Sequence, residues 1–174
     1  MIHPYTAGFF TGLRPLPDLT VAEWANENRI LTTRSSAEAG KYSTDRTPYA
    51  KQIMEVMSPK AKNLLGEPAT EVVFVKGSQL GGSEALINCV GYYIDLCPCP
   101  ILYMLSTVDL AKFTSTDRID SLIEETPSIR KKIGKKRTHN AENSILKKGF
   151  TGGSLRFIGA KSPAGMRTAA VRVL

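Results

Sequence analysis

The amino-acid pattern predicts an α/β domain with a mainly parallel sheet flanked by helices. Three observations predict it. The apolar, β-branched run Glu71-Val72-Val73-Phe74-Val75-Lys76 ends in a Gly/Ser-rich turn, and a helical pattern follows. A second apolar run, Ile101-Leu102-Tyr103-Met104-Leu105, is again followed by a helical pattern. This β-α-β-α order implies parallel strands joined by right-handed crossovers. The chain of 174 residues, 42% hydrophobic and 22% charged, is long enough for one domain with a core of its own.

Taken in order, residues 1–45 read as an N-terminal helical and loop segment. Gly12, Pro15 and Pro17 break any early element. Thr20 to Glu27 reads as a short helix, with Thr20 as N-cap and Glu23 three residues on, the spacing of a capping box. The Ser/Thr/Gly-rich stretch 32–47 reads as a loop. Pro48 then opens a helix to about Met57, since proline is tolerated in a first turn. Residues 71–76 read as a strand, 83–96 as a helix, 101–106 as a strand and 107–125 as a helix. A hairpin follows, with Ser144–Lys148 and Ser154–Ile158 joined through Gly149 to Gly153. Val171-Arg172-Val173-Leu174 reads as the start of another buried strand.

The net charge of +7 points to a polyanionic partner, nucleic acid or an anionic surface. No apolar run approaches the ~20 residues that span a bilayer, and the N-terminus lacks the pattern of a secretory signal. Three cysteines, Cys89, Cys97 and Cys99, argue against a disulfide framework and for a reducing compartment. With His3 and His139 far off in sequence, buried free thiols are favoured over a zinc site. Six of the eight residues Arg130 to Arg137 are basic: Arg130, Lys131, Lys132, Lys135, Lys136 and Arg137. Such a run is either a solvated segment or a sequence-independent contact to DNA phosphates. After Glu142 no carboxylate follows, whereas six basic residues do.

The turn Gly77-Ser78-Gln79-Leu80-Gly81-Gly82-Ser83-Glu84 is the main candidate site. A strand, a small-residue loop and a helix N-terminus can cradle phosphates with backbone N–H groups and the positive helix end. In G-x-x-x-x-G-K-[ST] the lysine reaches the phosphates and the hydroxyl holds magnesium. Here Gly82 stands at the lysine position, Ser83 keeps the hydroxyl, and Lys76 precedes the loop. Lys76 is long enough to fold across it. The alternative is a glycine-rich turn with no ligand.

Several stretches together resemble the large terminase subunit of tailed phages, in its lambda-like branch. They are Trp24 to Arg29, Ser36 to Gly40, Arg46-Thr47-Pro48-Tyr49 with Ile53-Met54, Val72 to Glu84, Pro100 to Tyr103 with Leu110-Ala111-Lys112, Gly152 to Leu155, and Gly159 to Arg167. They are collinear over nearly the whole chain. The resemblance implies a P-loop NTPase of the ASCE, helicase-like kind, with 46–174 as the N-terminal part of a packaging ATPase domain that a nuclease domain would follow. It implies ATP and Mg2+ as cofactors, held by Lys76, residues 77–84 and the Ser83 hydroxyl, because some members carry the loop lysine ahead of the loop. It places Tyr49 at an adenine-recognition segment, with Gln52 as a further contact, although Ala50 stands where members more often have glutamine. It gives Arg167 the part of an arginine finger reaching a neighbouring subunit. Implied partners are double-stranded DNA, the small terminase subunit and the portal of the procapsid, with a homo-oligomer possible, no membrane, and the host cytoplasm as location.

Hydrolysis in this class needs an apolar strand ending in acids, which hold magnesium and orient water. Val171 to Leu174 looks like the start of that strand, and the sequence reads as truncated before the acids and without the nuclease domain. Tyr92-Tyr93-Ile94-Asp95 is not a substitute, since it belongs to the helix after Ser83 with too little room for a crossover. Weak or no ATPase activity is therefore expected of this polypeptide alone. Two other readings are a helicase-like ATPase piece and an inactive, basic DNA-binding remnant with an empty loop.

Overall fold

The computed structural model describes residues 17–33, 38–133, 144–162, 166–167 and 171–174. Helix α1 (Val21–Asn28) forms where the sequence places it. The Glu23 amide donates to Thr20 Oγ1 and the Thr20 amide donates to the Glu23 carboxylate, closing the capping box. A two-residue antiparallel ladder follows, β1 (Ile30–Leu31) against β2 (Gly40–Lys41). Helix α2 (Pro48–Val56) starts on its proline, and α3 (Gly82–Asp95) starts at the end of the glycine turn.

Among the described residues the main sheet is mixed, with three strands: β3 (Pro100–Leu105), β4 (Lys147–Phe150) and β5 (Gly153–Gly159). Their spatial order is β3-β5-β4. β3 and β5 are parallel from Pro100↔Ser154 to Leu105↔Gly159, and β4 and β5 are the expected antiparallel hairpin. On the other side of β3, Val173 makes a parallel bridge to Ile101, and the Leu102 amide donates to the Val173 carbonyl at 2.9 Å. The expected last strand is thus present as a single bridge.

Between β3 and β4 run α4 (Val108–Phe113), a π-helical turn (Thr114–Ile119), α5 (Asp120–Glu125) and α6 (Pro127–Lys132). The sequence predicts one helix over 107–125. The π turn divides it, and Thr126, Pro127 and an extended Thr126 backbone separate α5 from α6.

One expectation fails outright. Residues 71–76 form no strand: Val73 is 77% and Val75 91% exposed, and the segment pairs with no strand among the described residues. The side chains favour extended backbone, yet a strand exists only where a neighbour takes up its N–H and C=O groups. The sheet therefore begins at β3 instead of at the glycine loop.

Helix α3 is the axis of the core. It buries Ala85, Ile87, Asn88, Cys89, Val90, Gly91, Tyr92, Ile94 and Asp95 against α1, α2 and α6. Trp24 of α1, fully buried, lies so close to Gly91 that a Cβ there would sit 2.4 Å from the indole. Its Nε1 donates to Asp95 Oδ2 at 2.9 Å, and Asp95 Oδ1 pairs with Lys132 Nζ at 3.0 Å. Ser58 joins α1 to α2 by accepting from the Val21 amide and donating to the Met54 carbonyl. On the opposite flank Lys148, only 3% exposed, pairs with Asp120 at 2.9 Å, so one of the carboxy-terminal cations is structural.

Two predictions follow from this packing. Gly91→Ala drives a methyl into the Trp24 ring and lowers stability by about 1–3 kcal/mol, read from urea unfolding followed by Trp24 fluorescence. Burial raises the Cys89 thiol from 9.0 to about 12 and raises Tyr42, Tyr92 and Tyr103 in the same direction. In each case the folded state holds its proton longer than the unfolded chain, so the stability is complete below pH 9.0 and falls between pH 9.0 and about 12. The urea midpoint is therefore lower at about pH 10 than at about pH 8.

Candidate functional site

The turn before α3 is shaped by two residues in left-handed backbone, Gln79 (φ 58°) and Gly81 (φ 68°). Gly81 is the N-cap of α3, and its carbonyl accepts from the amides of Glu84 and Ala85 at 3.0 and 3.1 Å. The amides of Gly82 and Ser83, in the first turn, have no intrahelical partner by the geometry of a helix start and lie at its positive end, Gly82 buried beneath the Lys76 stem. Ser83 is exposed beside them.

Lys76 folds back over this turn. Its Nζ donates to the Gly77 carbonyl at 3.2 Å, and a Cβ built on Gly82 would lie 2.5 Å from Lys76 Cε and 2.6 Å from Cδ. The lysine stem thus occupies the space above residue 82 that a side chain at that position would fill. Phe74 also approaches the same point, at 3.2 Å.

Helix α2 adds a third part. It buries Ala50 and Met54 and leaves Tyr49 and Gln52, three residues apart on one face, exposed. The Tyr49 hydroxyl lies 3.9 Å from where a Gly81 Cβ would be, so the half-exposed ring stands at the loop. Lys76, Gly81, Gly82, Ser83 and Tyr49 are thereby brought together from two segments far apart in sequence.

Glu84 turns the other way. Its Oε1 takes Arg29 Nη2 at 2.5 Å, and its Oε2 lies 3.7 Å from Arg118 Nη1. Arg29, 1% exposed, also donates through Nε to Asn88 Oδ1 at 3.1 Å and lies 3.7 Å from Glu125 Oε2. Burial pushes the Tyr103 phenol up, the Glu84 carboxylate adds to the rise, and Arg118 opposes it. Arg29 closes the resemblant stretch Trp24 to Arg29, yet the sequence gives neither it nor Asn88 a chemical role: an arginine after a capped helix and an asparagine within one are ordinary surface residues in most chains.

The remaining predicted residues are dispersed. Arg167 is exposed. Of the basic run, Arg130 and Lys131 are exposed at the end of α6, whereas Lys132 is tied to Asp95. Lys135, Lys136 and Arg137 lie outside the described residues.

The family model for the phage terminase large subunit gpA, ATPase domain, matches residues 36–174. The chain belongs to this terminase family. It is 28% identical over 154 residues to the terminase large subunit of Escherichia phage lambda, an alignment that covers 87% of this chain and 22% of the lambda protein. The terminase chain thus spans less than a quarter of that relative's length. No solved structure matches it. The family model's match includes the glycine turn, Lys76 and Tyr49 and begins after α1 and Arg29, whereas the lambda alignment reaches ahead of residue 36.

The contact between Lys76 and residue 82 makes a prediction. In Gly82→Ala the new methyl displaces the flexible lysine end at little cost to the fold, and a change from glycine can raise stability by up to about 1 kcal/mol. Urea unfolding of Gly82→Ala checks this, with the midpoint expected unchanged or raised.

Proposed function

We propose that the terminase chain holds ATP at the turn 77–84, as part of a P-loop NTPase domain that serves viral DNA packaging. One observation carries this reading: the Lys76 side chain folded over Gly82. The loop lysine is missing from its usual place, and a cation from the front of the loop stands over that place.

The residues divide the work by their chemistry. The first-turn amides of Gly82 and Ser83, with the helix end behind them, favour the phosphate oxygens. Lys76 Nζ exchanges its bond to the Gly77 carbonyl for a phosphate oxygen, a stronger partner because both groups are charged. The Tyr49 ring offers a face on which a base can stack, with the Gln52 amide beside it for polar contact. Ser83 fits magnesium, since its hydroxyl is exposed next to the amides. The metal would neutralise phosphate charge.

The same family reading supports the further proposals. Arg130, Lys131, Lys135, Lys136 and Arg137 contact DNA phosphates without reading sequence, so binding weakens steeply with salt. Arg167 acts towards a neighbouring subunit's nucleotide in a homo-oligomer. The small terminase subunit and the portal of the procapsid are partners in the host cytoplasm, and genome cutting belongs to a nuclease domain. Among the described residues no helix is long and apolar enough to cross a membrane.

Nucleotide binding is tested by thermal and urea unfolding. Magnesium and ATP at 100 times the dissociation constant stabilise the chain by about 2.7 kcal/mol. Lys76→Ala loses most of that gain while its unliganded stability is unchanged. Equal stabilisation of both proteins, or of neither, refutes the assignment.

A further inference from the structure

A carboxylate directly behind a phosphate site is a problem. Glu84 follows Ser83 in the first turn of α3, where an acidic side chain ordinarily swings towards the first-turn amides, because the helix end attracts it. Swung that way it would compete with a phosphate for the same donors and repel it.

We propose that Arg29 is a positioning residue for the phosphate loop: it holds the Glu84 carboxylate turned into the core and neutralised, so that the first turn of α3 presents amides and the Ser83 hydroxyl to the ligand. The proposal rests on the nucleotide reading of the loop. Its geometry is specific. Arg29 is 1% exposed, its Nη2 meets Glu84 Oε1 at 2.5 Å, and its Nε is fixed by Asn88 Oδ1 one turn along α3. Nη1 is buried without a hydrogen bond, although Glu125 Oε2 lies 3.7 Å away. The guanidinium is thus aimed by Asn88 and Glu84, two residues four apart on one helix. Arg118, 44% exposed and 3.7 Å from the other Glu84 oxygen, balances the remaining charge of the cluster. Arg29 is brought there by α1, whose Trp24 is seated on Gly91 of the same helix. The contact thus comes from ahead of residue 36, where the family model's match begins.

The test measures affinity for a fluorescent ATP analogue with magnesium in the parent chain, Arg29→Met, Glu84→Gln and the double variant, with urea unfolding of each. Arg29→Met leaves a carboxylate without its buried partner near the phosphates, and affinity falls about tenfold. Removing that charge as well, in the double variant, returns affinity to within about threefold of the parent, since a neutral amide no longer competes. An arginine with only a structural part lowers stability in both variants and gives no such rescue, and that result overturns the proposal. Should Arg29→Met fail to fold, Glu84→Gln decides alone: affinity equal to or above the parent supports the proposal, and a marked loss overturns it. A parent chain with no affinity for the analogue overturns the nucleotide reading and the proposal with it. A parent that binds, beside an Arg29→Met variant that binds equally, overturns the proposal alone.

Discussion

The position of α3 depends on the contact between Trp24 and Gly91. An indole can lie directly on a helix backbone only where no Cβ intervenes, and the missing methyl lets α1 approach far enough for Trp24 Nε1 to reach Asp95. Asp95 then takes Lys132, which draws in α6. A single small residue thus sets the spacing of three helices. Because α3 is buried on most of its sides, Gly91 belongs to one close-packed rod that runs to the other end of the helix. That end is the glycine turn.

At the turn, two departures from the usual phosphate loop compensate each other. Glycine at position 82 opens the space above the first turn, and Lys76 lies in that space. A lysine at position 82 and the observed Lys76 stem would collide. The lysine stem thus fills the space that glycine leaves open. The charge beneath follows the same logic. Glu84 is held by Arg29 and approached by Arg118, while Lys76 Nζ donates to the Gly77 carbonyl. The apolar groove elsewhere, a cavity of about 240 Å³ between α3 and β3, includes none of residues 76–83 in its lining.

The legible parts of the fold were those fixed by local chemistry. Thr20 and Glu23 specify a helix start through their own side chains, Pro48 specifies another, and the hairpin 147–159 follows from a glycine-rich turn between alternating residues. The failure at 71–76 has the opposite cause. Val72, Val73 and Val75 carry strong β propensity, but pairing is a property of two segments and cannot be read from one. The continuous helix expected over 107–125 failed at the π turn, which tertiary contacts decide: Ser115 is fully buried and donates to the Ile145 carbonyl far along the chain. For the site, the loop and Tyr49 were legible because motif spacing and family resemblance both mark them. The part played by Arg29 was not, since resemblance marks its stretch but only its burial brings it to Glu84. Lys132 was grouped with its basic neighbours, and only its contact with Asp95 sets it apart.

Sequence alone determined the α/β class, the glycine turn at a helix start, the displaced lysine and membership of the terminase family, because each resides in residue types at fixed spacing. Only the tertiary structure decided that Lys76 lies over Gly82, that Tyr49 stands beside Gly81, and that Glu84 faces inward to Arg29. Those are relations between segments separated by tens of residues, and they are set by packing around Trp24 and Gly91. Local propensity acts over a few residues and carries no information about which distant side chain will fill a given space.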